Sequence, residues 1–204
     1  MNIVDVMKEE IIKRSNEFEA KTKGTKEEYN LYESHVKYVY DYAVKLCEGK
    51  NVDKEVVELS ALLHDIAMTD INLGRENHAY NGSIIAYDLL IKKGYPKDKC
   101  ELVSKCILNH SSKRKEYRTT IEEQILVDAD GLSHFDSIES IYSLANKVYE
   151  LSEEESVKFV QDKINKDYIE LTDDLKSLID DKYKKVMNAK AKDELFDKII
   201  KKWY

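Results

Sequence analysis

His64-Asp65 closes an apolar run, Val56-Val57-Glu58-Leu59-Ser60-Ala61-Leu62-Leu63. The spacing of that run predicts a helix buried on several sides, so its end carries an imidazole and a carboxylate inward, side by side. A carboxylate taken out of water needs a charged partner or an ion. A divalent cation satisfies both groups, and this donor pair suits Zn, Fe, Mn or Ni. The plainer alternative makes Asp65 a cap of the next segment and His64 a satisfied core histidine. Other residues of ligand type stand at His35, His78, His110, Asp128 and Asp130. Each has an ordinary role open to it: a tyrosine bond for His35, a surface position for His78, a helix end for His110, capping or ion pairing for the aspartates.

The elements that must position these residues read as helices. An amphipathic helix over about 2–21 carries Ile3, Val6, Met7, Ile11 and Phe18 on one side. Thr25 and Glu28 have capping-box spacing for the next helix, which runs to about Glu48 and turns His35 inward with Leu31 and Val39. Gly49 ends it, and Asp53 caps the helix that finishes at His64-Asp65. Residues 66–76, with Asp70, Asn72, Gly74 and Arg75, read as a loop beside the site. Helices follow over Asn77 to about Lys93 and Lys97 to about Asn109, separated by Gly94-Tyr95-Pro96. After a basic polar stretch, Ser111 to Arg118, Thr120 opens a helix containing Asp128 and Asp130. Later segments, Ile138–Leu151, Glu153 to about Leu171, and Asp173–Tyr204, are more polar; Asp193 and Asp197 near Lys198 and Lys201 suggest a solvated face.

Composition narrows the class. One Pro and six Gly in 204 residues favour helices, and no alternating apolar segment is long enough for a sheet. The expectation is an all-α fold: a single helical domain over 1–204, with a core at about 30–135 and a C-terminal helical cover at about 136–204. A net charge of −7 argues against nucleic acid, whose binding depends on neutralising phosphates with Lys and Arg. It leaves room for a small phosphorylated substrate at one positive site. No signal-peptide pattern and no apolar run of membrane-spanning length is present. Cys47, Cys100 and Cys106 lack zinc-knuckle spacing and read as reduced core thiols in a cytoplasmic protein. A homo-oligomer is left open.

Taken in order, Glu33-Ser34-His35-Val36, Ala61-Leu62-Leu63-His64-Asp65-Ile66, Asn77-His78-Ala79-Tyr80-Asn81-Gly82, Ile107-Leu108-Asn109-His110-Ser111 and Ile125-Leu126-Val127-Asp128-Ala129-Asp130 resemble the HD superfamily of metal-dependent phosphohydrolases. The resemblance covers about residues 30–135 and implies an HD-domain helical bundle around a metal. It implies His35, His64, Asp65 and Asp130 as ligands of a primary ion. His78 and His110 match the extra histidines that hold a second ion in some members and face substrate in others. Gly131 departs from the basic residue that members often carry there, and Leu132–Ser137 is more polar than in related small phosphohydrolases. Both bear on substrate and leave the ligands intact.

The chemistry so implied is hydrolysis of a phosphate ester or phosphoanhydride, with a nucleotide as the expected substrate. One or two divalent ions (Mn, Fe, Mg, Ni or Zn) would activate water. Asp65, His78 and His110 serve catalysis, and Lys113, Arg114 and Arg118 stand ready to clamp phosphoryl oxygens. Two rivals remain: a nucleotide-sensing module of the same fold without turnover, and a helical interaction protein whose metal is structural. The basic stretch could equally be a solvated loop paired with Glu116 and Glu122.

Overall fold

Asn2 starts the first helix by accepting the Asp5 N–H on its Oδ1 at 2.8 Å. The computed structural model describes residues 2–73 and 75–196; Gly74 of the expected loop and the Asp197, Lys198 and Lys201 part of the expected solvated face lie outside them. Helix α1 (Ile3–Thr22) buries Val4, Met7, Ile11, Ser15, Phe18 and Thr22 at helical spacing. Ile3 and Val6, expected on that face, sit half-buried beside it. The Thr25–Glu28 capping box does not form. Glu28 accepts instead from the Gly24 N–H at 2.7 Å, closing the turn after α1. Asn30 caps the next helix, accepting from Glu33 N at 3.1 Å. Asn30 has the stronger claim because its Nδ2 also donates to Asn16 and Glu19 of α1, at 3.0 and 2.8 Å.

A π-helical turn, Tyr32–Val36, leads into α2 (Lys37–Leu46). Gly49, at φ +71°, then reverses the chain, using a conformation that glycine adopts without cost to a side chain. Asp53 accepts from Val56 N at 3.3 Å and begins α3 (Lys54–Leu63), followed by a tight turn at Ile66–Thr69. Next come α4 (His78–Lys92) and α5 (Lys97–Asn109). The basic stretch forms 3₁₀ turns over Ser112–Tyr117, kinked at Arg114 (φ −121°, ψ 19°). Helix α6 (Ile121–Asp136) continues through Gly131, past the point where polarity rises. The last helices are α7 (Ile138–Ser143), extended by a π-helical turn at Leu144–Val148, then α8 (Glu153–Glu170), α9 (Asp173–Asn188) and α10 (Lys192–Phe196). All regular elements among the described residues are helical. Among them no helix is long and apolar enough to cross a membrane.

The chain divides into two compact units, Met1–Asp130 and Gly131–Tyr204, with the boundary inside α6. In the first, α3 is the central helix: α1, α2 and α5 all pack on it. Val56, Val57, Leu59, Ala61, Leu62 and Leu63 are all buried, as a helix covered on several sides requires. Cys47, Cys100 and Cys106 are buried and unbridged. Helix α4 lies along α5 and against the Ile66–Thr69 turn. Gly82 permits that approach, since a Cβ there would stand 3.0 Å from the His64 carbonyl oxygen. In the second unit α8 packs on α7 and α9 around Val157, Val160, Ile164 and Ile179. Ser152 and Glu155 form a capping box on α8, and Lys182 and Asp136 form a buried ion pair at 2.6 Å.

Glycine inside a helix is normally a loss relative to alanine, so Gly82→Ala tests what the close approach is for. The added methyl must displace backbone, and overpacking of this kind costs roughly 1–3 kcal/mol. A lower thermal midpoint is expected from Gly82→Ala, whereas an unchanged or raised midpoint would show that α4 does not depend on the contact.

Candidate metal centre

Four helix ends and one helix interior deliver the candidate ligands to one place. His35 lies in the π-helical turn before α2, and π-helical turns often occur at functional sites. His64 is the first residue beyond α3. Asp65 follows with φ −108° and ψ 16°, near the sparsely populated bridge region. His78 opens α4, His110 ends α5, and Asp130 comes from within α6. His64 is fully buried, and His35, Asp65 and His110 are nearly so. His78 is the most open of the four histidines, with 30% of its side chain exposed.

Asp65 stands at the middle and its two oxygens face different partners. Oδ2 is 3.7 Å from His35 Nε2 and 3.6 Å from His64 Nε2. Oδ1 is 3.6 Å from His78 Nε2 and 3.8 Å from His110 Nε2. Around the first pair, His35 Nε2 is 3.0 Å from His64 Nε2 and 3.1 Å from Asp130 Oδ1, which lies 3.8 Å from His64 Nε2. Donors held about 2.1 Å from a common ion stand ~3.0–3.5 Å apart; the His35–His64 and His35–Asp130 distances fall in that range, and the other three are slightly longer. Two sets could each hold a metal ion: His35, His64 and Asp65, and Asp65, His78 and His110.

The imidazoles are turned by their other nitrogens. His64 Nδ1 donates to Ala61 O at 2.9 Å, His78 Nδ1 to Arg75 O at 2.7 Å, and His110 Nδ1 to Ile107 O at 2.6 Å. A carbonyl oxygen can only accept, so each Nδ1 carries the hydrogen and each ring turns its Nε2, the nitrogen left for a metal, toward Asp65. This outer contact is what fixes tautomer and orientation in metal-binding histidines. Asp65 Oδ1 is buried with no hydrogen-bond partner. A buried acceptor facing two imidazole lone pairs calls for a cation, and the residues fit one.

Charge agrees with geometry. Burial lowers the His64 pKa against the pull of Asp65 and Asp130. Burial, then the neighbouring His64, brings His110 down to about 4. Burial works to raise the pKa of Asp65, and positive charge on the facing histidines, His64 foremost, holds it below the usual carboxylate range; with those rings neutral, a bound cation would take that place. Tyr29 stands in the segment before the π-helical turn. It lies close enough that Asp65 and Asp130 add to burial in raising its pKa, while Arg75 opposes them.

The basic stretch does something other than expected. Arg118 donates from Nε to Asn109 O at 2.8 Å, and from Nη2 to His110 O at 3.2 Å and Ser111 O at 3.1 Å. It caps the carbonyls at the end of α5, where helix geometry leaves them without partners, which commits its Nε and Nη2 to that helix end. Arg114 donates to Asn109 Oδ1 at 2.8 Å and stacks over Tyr117. Lys113 is exposed. Neither Glu116 nor Glu122 takes up these cations; Glu122 accepts instead from Asp53 N at 3.1 Å. Gln124 donates to Asp128 at 3.1 Å. The fifth histidine, His134, stands 3.1 Å from Asp167 within the second unit.

The HD domain family model matches residues 32–134, just over half of the chain. That span takes in His35, His64, Asp65, His78, His110 and Asp130. No curated protein and no solved structure matches the chain.

Buried neutral histidines make stability depend on pH. With the folded pKa of His110 below its unfolded value, its contribution is complete above about pH 6.5 and lost as pH falls toward about 4. At about 1.4 kcal/mol per pKa unit, that loss is on the order of 3 kcal/mol. Chelator-treated protein should therefore melt progressively lower over this window, and His110→Asn should flatten the slope. A flat profile for the parent protein would contradict the buried neutral imidazole.

Proposed function

Because the chain belongs to the HD domain family, a superfamily of metal-dependent phosphohydrolases, we propose that it hydrolyses a phosphate ester or phosphoanhydride of a nucleotide with two divalent ions in place. The observation that carries the reading is the division of Asp65, with one oxygen toward His35 and His64 and the other toward His78 and His110. A divalent cation bound there supplies Lewis acidity, polarising a phosphoryl oxygen and making water acidic enough to react near neutral pH.

The protein's own groups supply position and charge. His35, His64, Asp65 and Asp130 form the more enclosed half, and Asp65, His78 and His110 the other. His78, the most open of these histidines, sets the side from which substrate enters. Three protein donors in that half leave coordination positions for water and substrate, as catalytic metal sites require. Arg75 takes the phosphate-binding role first assigned to Arg118. Its carbonyl holds His78, and its side chain is part-exposed, 3.4 Å from Glu27. It also sits close enough to Tyr29 to act on its ionisation. A guanidinium is suited to phosphoryl oxygens by its fork of donors, and Lys113 offers a second, exposed cation.

His64→Ala and Asp65→Ala should each abolish metal retention and hydrolysis together, read by elemental analysis and by phosphate or pyrophosphate release from a nucleotide panel with Mn, Mg, Ni and Fe. Either variant active with its metal retained would overturn the assignment. The double variant His78→Ala, His110→Ala should fall from about two equivalents of metal to one. One equivalent in both parent and variant would leave a single-ion hydrolase. Arg75→Ala should raise KM severalfold at unchanged metal content; unchanged KM would remove Arg75 from substrate binding. Absence of turnover across the panel, with nucleotide still bound, would favour the sensing module.

A further inference from the structure

His110 has a mechanical difficulty. It is the first residue past the end of α5, where the chain loses its helical hydrogen bonds and frays. Yet its Nε2 must stay 3.8 Å from Asp65 Oδ1. The residue before it is buried and polar. Asn109 is 2% exposed, and its side-chain bonds run away from the centre: Nδ2 donates to Glu123 Oε1 at 2.6 Å and to Tyr117 O at 3.3 Å, while Oδ1 accepts from Arg114 at 2.8 Å.

Glu123 is fully buried as well. Its Oε2 accepts from Thr119 N at 2.8 Å and Thr120 N at 2.9 Å, and Thr120 Oγ1 accepts from Glu123 N at 3.3 Å. This is a capping box at the start of α6. An ordinary capping glutamate spends its carboxylate on its own helix. Here one oxygen does that, and the other reaches across to Asn109 with the shortest bond of the group. Lys105 Nζ, at 3.5 Å, adds a second link back to α5.

We propose that Asn109 and Glu123 are positioning residues for His110, fastening the end of α5 to the start of α6 so that the imidazole stays at Asp65. Arg118 supports the same joint from outside, through the carbonyls of Asn109, His110 and Ser111. The consequence is selective. Releasing the joint loosens His110 and leaves His64 in place, since His64 is held through Ala61 on α3. That selectivity separates positioning from a general role in stability. The proposal rests on His110 belonging to the metal centre, but its mechanical content does not require metal.

The test uses the full chain with Asn109→Ala, which cuts the link and spares the capping box, and Glu123→Gln, which keeps the shape and removes the charge. In metal-free protein, imidazole ¹⁵N–¹H correlation spectra report the tautomer of each ring. Asn109→Ala and Glu123→Gln should both weaken the Nδ1–H signature of His110 and leave that of His64 unchanged. In Mn²⁺ titrations, losing a residue that orients a ligand weakens binding by roughly 10–100-fold; that loss should fall on one equivalent and spare the other. Unchanged His110 signals in folded variants would overturn the proposal. So would equal changes at His64 and His110, or failure of both variants to fold, since each outcome assigns the pair to stability in general. If the parent protein binds no Mn²⁺, the metal reading fails, and the metal-free spectra alone decide whether the joint holds His110.

Discussion

A carboxylate buried among four imidazoles is the constraint on which the first unit depends. Asp65 lies within 3.6–3.8 Å of the ring nitrogens of His35, His64, His78 and His110, and each ring comes from a different segment. Withdrawing such a group from water costs several kcal/mol unless charge compensates it. The arrangement is therefore stable only if the segments bring compensation with them. That requirement explains local choices that run against helix propensity: a π-helical turn at His35, a glycine inside α4, and a helix that stops at Leu63 although its apolar face is fully buried.

Glycine at position 82 and the termination of α3 belong to one solution. If α3 continued, His64 and Asp65 would carry helical backbone bonds and their side chains would diverge around the axis. Ending it lets Asp65 adopt φ −108° and ψ 16° and point along the path of the chain. The His64 carbonyl is then met closely by α4, where only a residue without a Cβ avoids a 3.0 Å contact. Close contact at Gly82 also sets His78, one helical turn earlier, within reach of Asp65. Packing and ligand geometry are thus decided by the same few atoms.

Much of this was legible in the sequence, and the failures have physical causes. The boundaries of α5 and the capping of α3 by Asp53 followed from Pro96, from the end of the apolar pattern and from Asp53 itself, which are local signals. The residues that gather at Asp65 were visible because the order of His35, His64-Asp65, His78, His110 and Asp130 resembles the HD superfamily. The Thr25–Glu28 box failed because Asn30 bonds α1 through Asn16 and Glu19, a contact across the fold that spacing does not encode. Arg118 shows the same dependence: its bonds to the carbonyls at the end of α5 come from where the chain returns, which the order of residues does not encode. The joint between Asn109 and Glu123 left a trace in the sequence, since Thr120 and Glu123 have capping-box spacing. Its second bond, to Asn109, depends on where α5 ends relative to α6.

Helix termini also explain how the rings are aimed. His64 donates to Ala61 O and His110 to Ile107 O, each three residues back in the last turn of its helix. Carbonyls there have no amide to accept from, because the helix has stopped. The imidazole supplies the missing donor through Nδ1, and the ring geometry then turns Nε2 away from the helix. His78 reaches the same result at the opposite kind of end, taking Arg75 O three residues back as α4 begins. One bond in each case selects the tautomer and turns Nε2 toward Asp65; at His64 and His110 it also satisfies an open carbonyl, whereas Arg75 O already accepts from His78 N at 3.3 Å. In mid-helix those carbonyls are already occupied, so the same histidine would have to find its Nδ1 acceptor elsewhere. That gives a physical reason for His64 and His110 to stand at the C-terminal ends of their helices, and for the centre to form where those two ends meet the start of α4.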